Sequence, residues 1–126
     1  MNQRKTSRRY YLFEDLLWLT SEFAHLRKRR PMAELQLLAG LVWAREGGKG
    51  PPPVVRTRDV KDHSWYIPAD HTILLARIHR NVGALLHEMA HALGPRDRYT
   101  HGPAFRKRCI RLFKTYGDWS GNVDFP

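Results

Sequence analysis

The stretch Asn81-Val82-Gly83-Ala84-Leu85-Leu86-His87-Glu88-Met89-Ala90-His91-Ala92-Leu93-Gly94 decides how this chain is read. The Asn81 side chain can cap a helix beginning at Val82, and Gly94-Pro95 stops that helix after Leu93. Leu85, Leu86, Met89, Ala92 and Leu93 bury it, which leaves the histidine face toward a cleft. His87 and His91 are one turn apart, so their imidazoles leave the same face about 6 Å from one another. Two ring nitrogens so placed can reach one tetrahedral metal ion at about 2.0–2.1 Å. Glu88 points to the neighbouring flank, where a carboxylate can take a proton from water at the ion without being a ligand. With seven His and five Glu in the chain, random order would give roughly 0.015 such pentapeptides. The pattern reads as a metal site. The competing reading is a helix with two surface or core histidines.

A catalytic zinc takes three protein ligands and keeps one position open. The other histidines are His25, His63, His71, His79 and His101. His101 is the expected third ligand. Gly94 and Pro95 reverse the chain, Gly102 permits close backbone approach, and Pro103 pre-sets the next helix. His63, His79 and Asp97 are weaker alternatives. Zinc is the expected ion from ligand type, although three imidazoles also suit iron, cobalt or manganese.

Outward from this segment the chain reads as α+β. Leu12, Phe13, Leu16, Leu17, Phe23 and Leu26 recur at helical spacing, predicting a helix to about Arg29. Pro31 ends it and opens a second, whose face is Met32, Leu35, Leu38, Ala39, Val42 and Trp43, closed by Gly47-Gly48. Three β-like stretches follow a Gly/Pro loop: 54–58, 64–67 and 71–76, with Pro68-Ala69-Asp70 as a tight hairpin connection. A small antiparallel three-stranded sheet is expected, with Thr72–Ala76 as an exposed edge against which an extended peptide could pair. A last helix is expected from Pro103 to about Tyr116. Residues 1–9 read as a flexible basic arm and 10–126 as one domain.

Composition bounds the function. A chain of 126 residues with 42% hydrophobic and 11% aromatic content can build one core, which excludes wholesale disorder. Cys109 stands alone, so an internal disulfide and a Cys-rich zinc site are excluded. No apolar run approaches the roughly 18–20 residues that span a bilayer. The basic N-terminus leads into a segment carrying Glu14 and Asp15, unlike a signal peptide, so a cytoplasmic protein is expected, with virion association left open. Twenty-two Lys+Arg against 12 Asp+Glu give a net charge of +10, clustered at Arg4–Arg9, Arg27–Arg30, Arg56–Lys61 and Arg106–Lys114. Such a field favours polyanions: either non-specific nucleic acid or an acidic protein partner. Solvated helix faces are the blander account. No sequence-specific reader motif is present.

His87-Glu88-Met89-Ala90-His91-Ala92-Leu93, followed by His101-Gly102-Pro103-Ala104-Phe105, resembles the SprT-like zincin metallopeptidases. These include the Spartan-type DNA–protein crosslink proteases and small actinobacterial and phage metallohydrolases. The likeness covers roughly residues 60–114. It implies a minimal zincin-like fold, zinc bound by His87, His91 and His101, Glu88 as catalytic base, and a protein or peptide substrate. Nine residues separate His91 from His101, fewer than in Spartan-type proteins, and no Cys-rich zinc ribbon follows. Two other classes remain in view: a non-catalytic, metal-stabilised structural or binding protein of a phage particle or nucleoprotein assembly, and a basic nucleic-acid-binding module. Glu88 favours the enzyme, because a purely structural site does not need it.

Overall fold

The computed structural model describes residues 24–58, 64–94 and 102–119, which form an α+β fold. Helix α1 spans Met32–Arg45, strands β1, β2 and β3 span Val54–Arg58, Trp65–Ile67 and Thr72–Ala76, helix α2 spans Val82–Leu93 and helix α3 Pro103–Tyr116. Short 3-10 turns at Ala24–Arg27 and Arg77–His79 precede α1 and α2. The expected basic arm and most of the expected first helix lie outside the described residues. The described end of that helix is a 3-10 turn, Ala24–Arg27, where α-helix was expected, and the chain leaves it close to the expected end. Arg29 forms an isolated antiparallel bridge with Asn81, and the Arg30 N–H donates to the Arg80 carbonyl at 2.8 Å. Pairing with the segment ahead of α2 takes the backbone groups that a continuing helix would have used.

Helix α1 starts after Pro31 and buries Leu35, Leu38, Ala39, Val42 and Trp43, each fully buried Leu stabilising by about 1.5–3 kcal/mol over exposure. Its end is a Schellman motif. The Gly48 N–H donates to the Trp43 carbonyl at 2.8 Å and the Gly47 N–H to that of Ala44 at 3.4 Å, with Gly47 at φ 81°. Gly48 is required for a different reason: a Cβ there would stand 2.2 Å from the Trp43 indole. The Gln36 side chain then docks the helix on β1, its Nε2 donating to the Pro53 carbonyl at 3.0 Å and its Oε1 accepting from the Val55 N–H at 2.8 Å.

The sheet is mixed, not antiparallel. Its order is β1-β3-β2, with β1 parallel and β2 antiparallel to β3. Strand directions alternate as in a meander, but β3 takes the centre. The reason lies in the side chains: Thr72, Ile73, Leu75 and Ala76 are buried, whereas β1 carries the exposed Arg56 and Thr57 and β2 has three residues. A strand apolar on both faces belongs inside, and charged or short strands belong at edges. Thr72–Ala76 is therefore not the open edge expected from sequence, and a peptide cannot add to it. The β2–β3 turn holds at Pro68–Asp70, the His71 N–H donating to the Pro68 carbonyl at 3.3 Å. His71, at φ 50°, bonds through Nε2 to the Pro51 carbonyl at 2.9 Å and through Nδ1 to the Tyr66 hydroxyl at 2.8 Å. The carbonyl only accepts, so Nε2 carries the proton and Nδ1 accepts from the hydroxyl.

Helix α2 lies at the centre, in contact with α1, α3, β2, β3 and the first 3-10 turn. Helix α3 covers it with Phe105, Cys109, Leu112, Phe113 and Tyr116 buried. Far from α2's histidines, Glu46 ties α1 to α3: it forms an ion pair with Arg111 and accepts from the Tyr116 hydroxyl at 2.7 Å. The Arg111 hydrogen bond holds the Glu46 carboxyl below its ordinary range. Burial, then the bond to Glu46, pushes the Tyr116 phenol up to about 12. No helix among the described residues is long and apolar enough to cross a membrane.

The raised phenol has a pH consequence. From pH 10 upward an unfolded Tyr116 loses its proton while the folded one keeps it, so the folded state binds more protons and stability falls toward pH 12. In urea unfolding across that range, Tyr116→Phe is expected to remove this component of the decline, measured as the difference from wild type.

Candidate metal centre

Helix α2 forms where expected. The Asn81 Oδ1 accepts from the Ala84 N–H at 2.7 Å, closing the first turn, and the helix ends at Leu93. Every residue from Val82 to Ala90 is buried, as is Ala92. His87 and Glu88 are only 6% and 5% exposed, whereas His91 is partly open, so solvent reaches the pair from its side. Burying two imidazoles and a carboxylate on one helix is costly unless they find partners.

The spacing of the rings is compatible with one shared ion. The His87 and His91 centroids are 5.2 Å apart, with planes at 65°. An imidazole centroid lies about 1.1 Å behind its nitrogen, so two rings on one tetrahedral ion at 2.0–2.1 Å place their centroids about 5 Å apart. The donor set suits zinc in chemistry as well as spacing. Glu88 Oε2 lies 3.9 Å from His87 Nε2, too far for a hydrogen bond and near enough for both to face one small guest.

Helix α3 supplies the wall. Phe105 stacks on His91 with centroids 4.2 Å apart and meets His87 edge-on at 5.2 Å, so one ring restrains both imidazoles. The first turn of α3, four residues beyond His101 in sequence, is thus packed on the histidine face. In the sequence Phe105 falls in the expected last helix and closes the His101–Phe105 motif, with no signal for its contact with the pair.

Arg108 was not anticipated. The Gly94 N–H donates to the His91 carbonyl at 3.1 Å, so the Ala90 carbonyl loses its usual helical donor. Arg108 Nη1 donates to that carbonyl instead, at 3.1 Å. A Cβ on Gly94 would stand 2.6 Å from the same nitrogen, so glycine makes room for the guanidinium. The charge also sits at the negative end of α2.

Among the described residues no group of three His, Cys, Asp or Glu side chains assembles. His79 does not join the pair; its Nδ1 is bonded to the Ser64 hydroxyl at 2.9 Å, which in turn accepts from the Ala76 N–H. His101, His63 and Asp97 lie outside the described residues, as do Arg96 and Tyr99, which sequence alone would offer with His63 as oxyanion donors. Set against protein-family models, curated proteins and solved structures, the chain matches none of them.

Replacing Arg108 by Met keeps most of the side-chain stem and removes the donor. Chemical denaturation is expected to show a loss of about 1–2 kcal/mol, the range for a partly buried carbonyl deprived of a charged partner.

Proposed function

We propose that this chain is a zinc-dependent peptidase with a minimal zincin-like fold of the SprT-like kind. The observation that carries the reading is the pair of imidazoles on α2, spaced for one tetrahedral ion beside a buried carboxylate. His87 and His91 would hold the ion, with His101 as third ligand. The packing of Phe105 on both rings supports His101, because it brings the start of α3 to the histidine face.

When bound, zinc supplies Lewis acidity that acidifies a water and polarises a carbonyl. The chain's own part is proton handling and exclusion of solvent. Glu88 Oε2, held beside His87 Nε2, takes a proton from the attacking water and passes it to the leaving amine. Phe105 keeps one side of the histidines dry and fixes their planes. The substrate is a protein or peptide, and the net charge of +10 favours proteins associated with nucleic acid or bearing acidic surfaces.

Glu88→Gln is nearly isosteric and leaves the histidines in place. It is expected to retain zinc by elemental analysis and to lose about 10²–10⁴-fold in casein hydrolysis; equal activity would refute the assigned base. His101→Ala is expected to weaken zinc binding. A variant holding zinc as tightly as wild type would move the third ligand elsewhere. Zinc binding without any hydrolysis in the wild type would instead select the metal-stabilised structural reading.

A further inference from the structure

Away from the histidines, two chain segments meet in a corner where two arginines face each other. The bridge between Arg29 and Asn81, with the Arg30 N–H donating to the Arg80 carbonyl at 2.8 Å, sets Arg30 directly opposite Arg80. Directly opposed residues of an antiparallel pair project from the same face, and like charges there repel. Arg30 places Nη2 on the Trp119 carbonyl at 2.7 Å and its guanidinium carbon 5.8 Å from the centroid of the Trp119 ring. The Nε atoms of Arg30 and Arg80 are both buried, with no hydrogen-bond partner among the described residues. Neither arginine has an ion pair with a carboxylate of the described residues. Exposed Arg27, Lys28 and Arg29 continue the charge along one segment, and Arg77 along the other.

Two opposed cations repel, and an anion held between their guanidinium ends offsets that repulsion. A carboxylate offers two oxygens, which a single guanidinium fork satisfies. A phosphate offers more acceptor oxygens and as much as two charges, so it can bridge both forks. We propose that Arg30 and Arg80 form a phosphate-binding clamp, with Arg27, Lys28, Arg29 and Arg77 extending its field. The phosphate comes either as the free ion or as part of a polynucleotide backbone. The clamp does not depend on the metal reading.

The test uses the full chain and three variants: Arg80→Ala, Arg80→Lys, and Arg56→Ala as an equal loss of charge on exposed β1. Thermal unfolding in inorganic phosphate reads the free ion. Anisotropy of a labelled single-stranded oligothymidylate across salt reads the backbone. If the backbone is the source, Arg80→Ala is expected to lose about tenfold in oligonucleotide affinity and about one in salt slope. Arg80→Lys should fall between, since ammonium keeps the charge without the fork, and Arg56→Ala should stay within about twofold of wild type. If free phosphate is the source, phosphate raises the wild-type midpoint but not that of Arg80→Ala, and oligonucleotide affinity does not single out Arg80. Without added anion, Arg80→Ala should be at least as stable as wild type, because it relieves the repulsion. A less stable or unfolded Arg80→Ala would make Arg80 a structural residue and overturn the clamp. So would Arg80→Ala behaving as Arg56→Ala in both assays, or polyglutamate binding as tightly with the same dependence on Arg80.

Discussion

Helix α2 is surrounded by protein, and one imidazole and a carboxylate are buried with it, with a second imidazole partly open beside them. A helix packed by α1, α3 and the sheet has no polar side to spare. His87, Glu88 and His91 therefore sit where their chemistry must be used or compensated. The rest of the molecule serves this arrangement. Asn81 fixes where the helix begins, Arg108 closes its far end, and Phe105 sets the planes of the two rings. Precision at a site comes from side chains locked by their neighbours, and here those neighbours come chiefly from α3.

Local signals in the sequence located most elements. Asn81, Gly94 and Pro103 mark helix ends because caps and proline act on the nearest turn, and those boundaries agree with the fold. The His87–His91 face follows from helical periodicity alone. Sheet order is not legible in the same way: up-down-up strands read alike whether β2 or β3 lies in the middle. Only the burial of β3 on both faces decides, and that depends on what packs above and below it. The reading of an open edge at Thr72–Ala76 failed for this reason. The described end of the first expected helix is a 3-10 turn, Ala24–Arg27, followed by the pairing of Arg29 with Asn81, a contact between residues far apart in sequence.

The contacts that restrain the candidate site were the least visible. Arg108 reaches Ala90 and Phe105 reaches both histidines across the α2–α3 interface, and neither has a spacing rule. Likewise, Glu46 meets Tyr116 from 70 residues away. Sequence supplies the chemistry of the two histidines through one helix turn, but their supports come from the packing of a second helix. His101 lies outside the described residues, and its proposal as third ligand rests on the motif and on the packing of Phe105.

The Gln36 side chain has a consequence for how copies of this protein meet. By taking the Val55 N–H and the Pro53 carbonyl it occupies the outward-facing groups at the start of β1. A second chain seeking to zip onto that margin would have to evict an amide first. Pairing of a second strand is thus hindered at the start of β1 by a neutral amide, which adds to the proline before the strand and the exposed Arg56 on it.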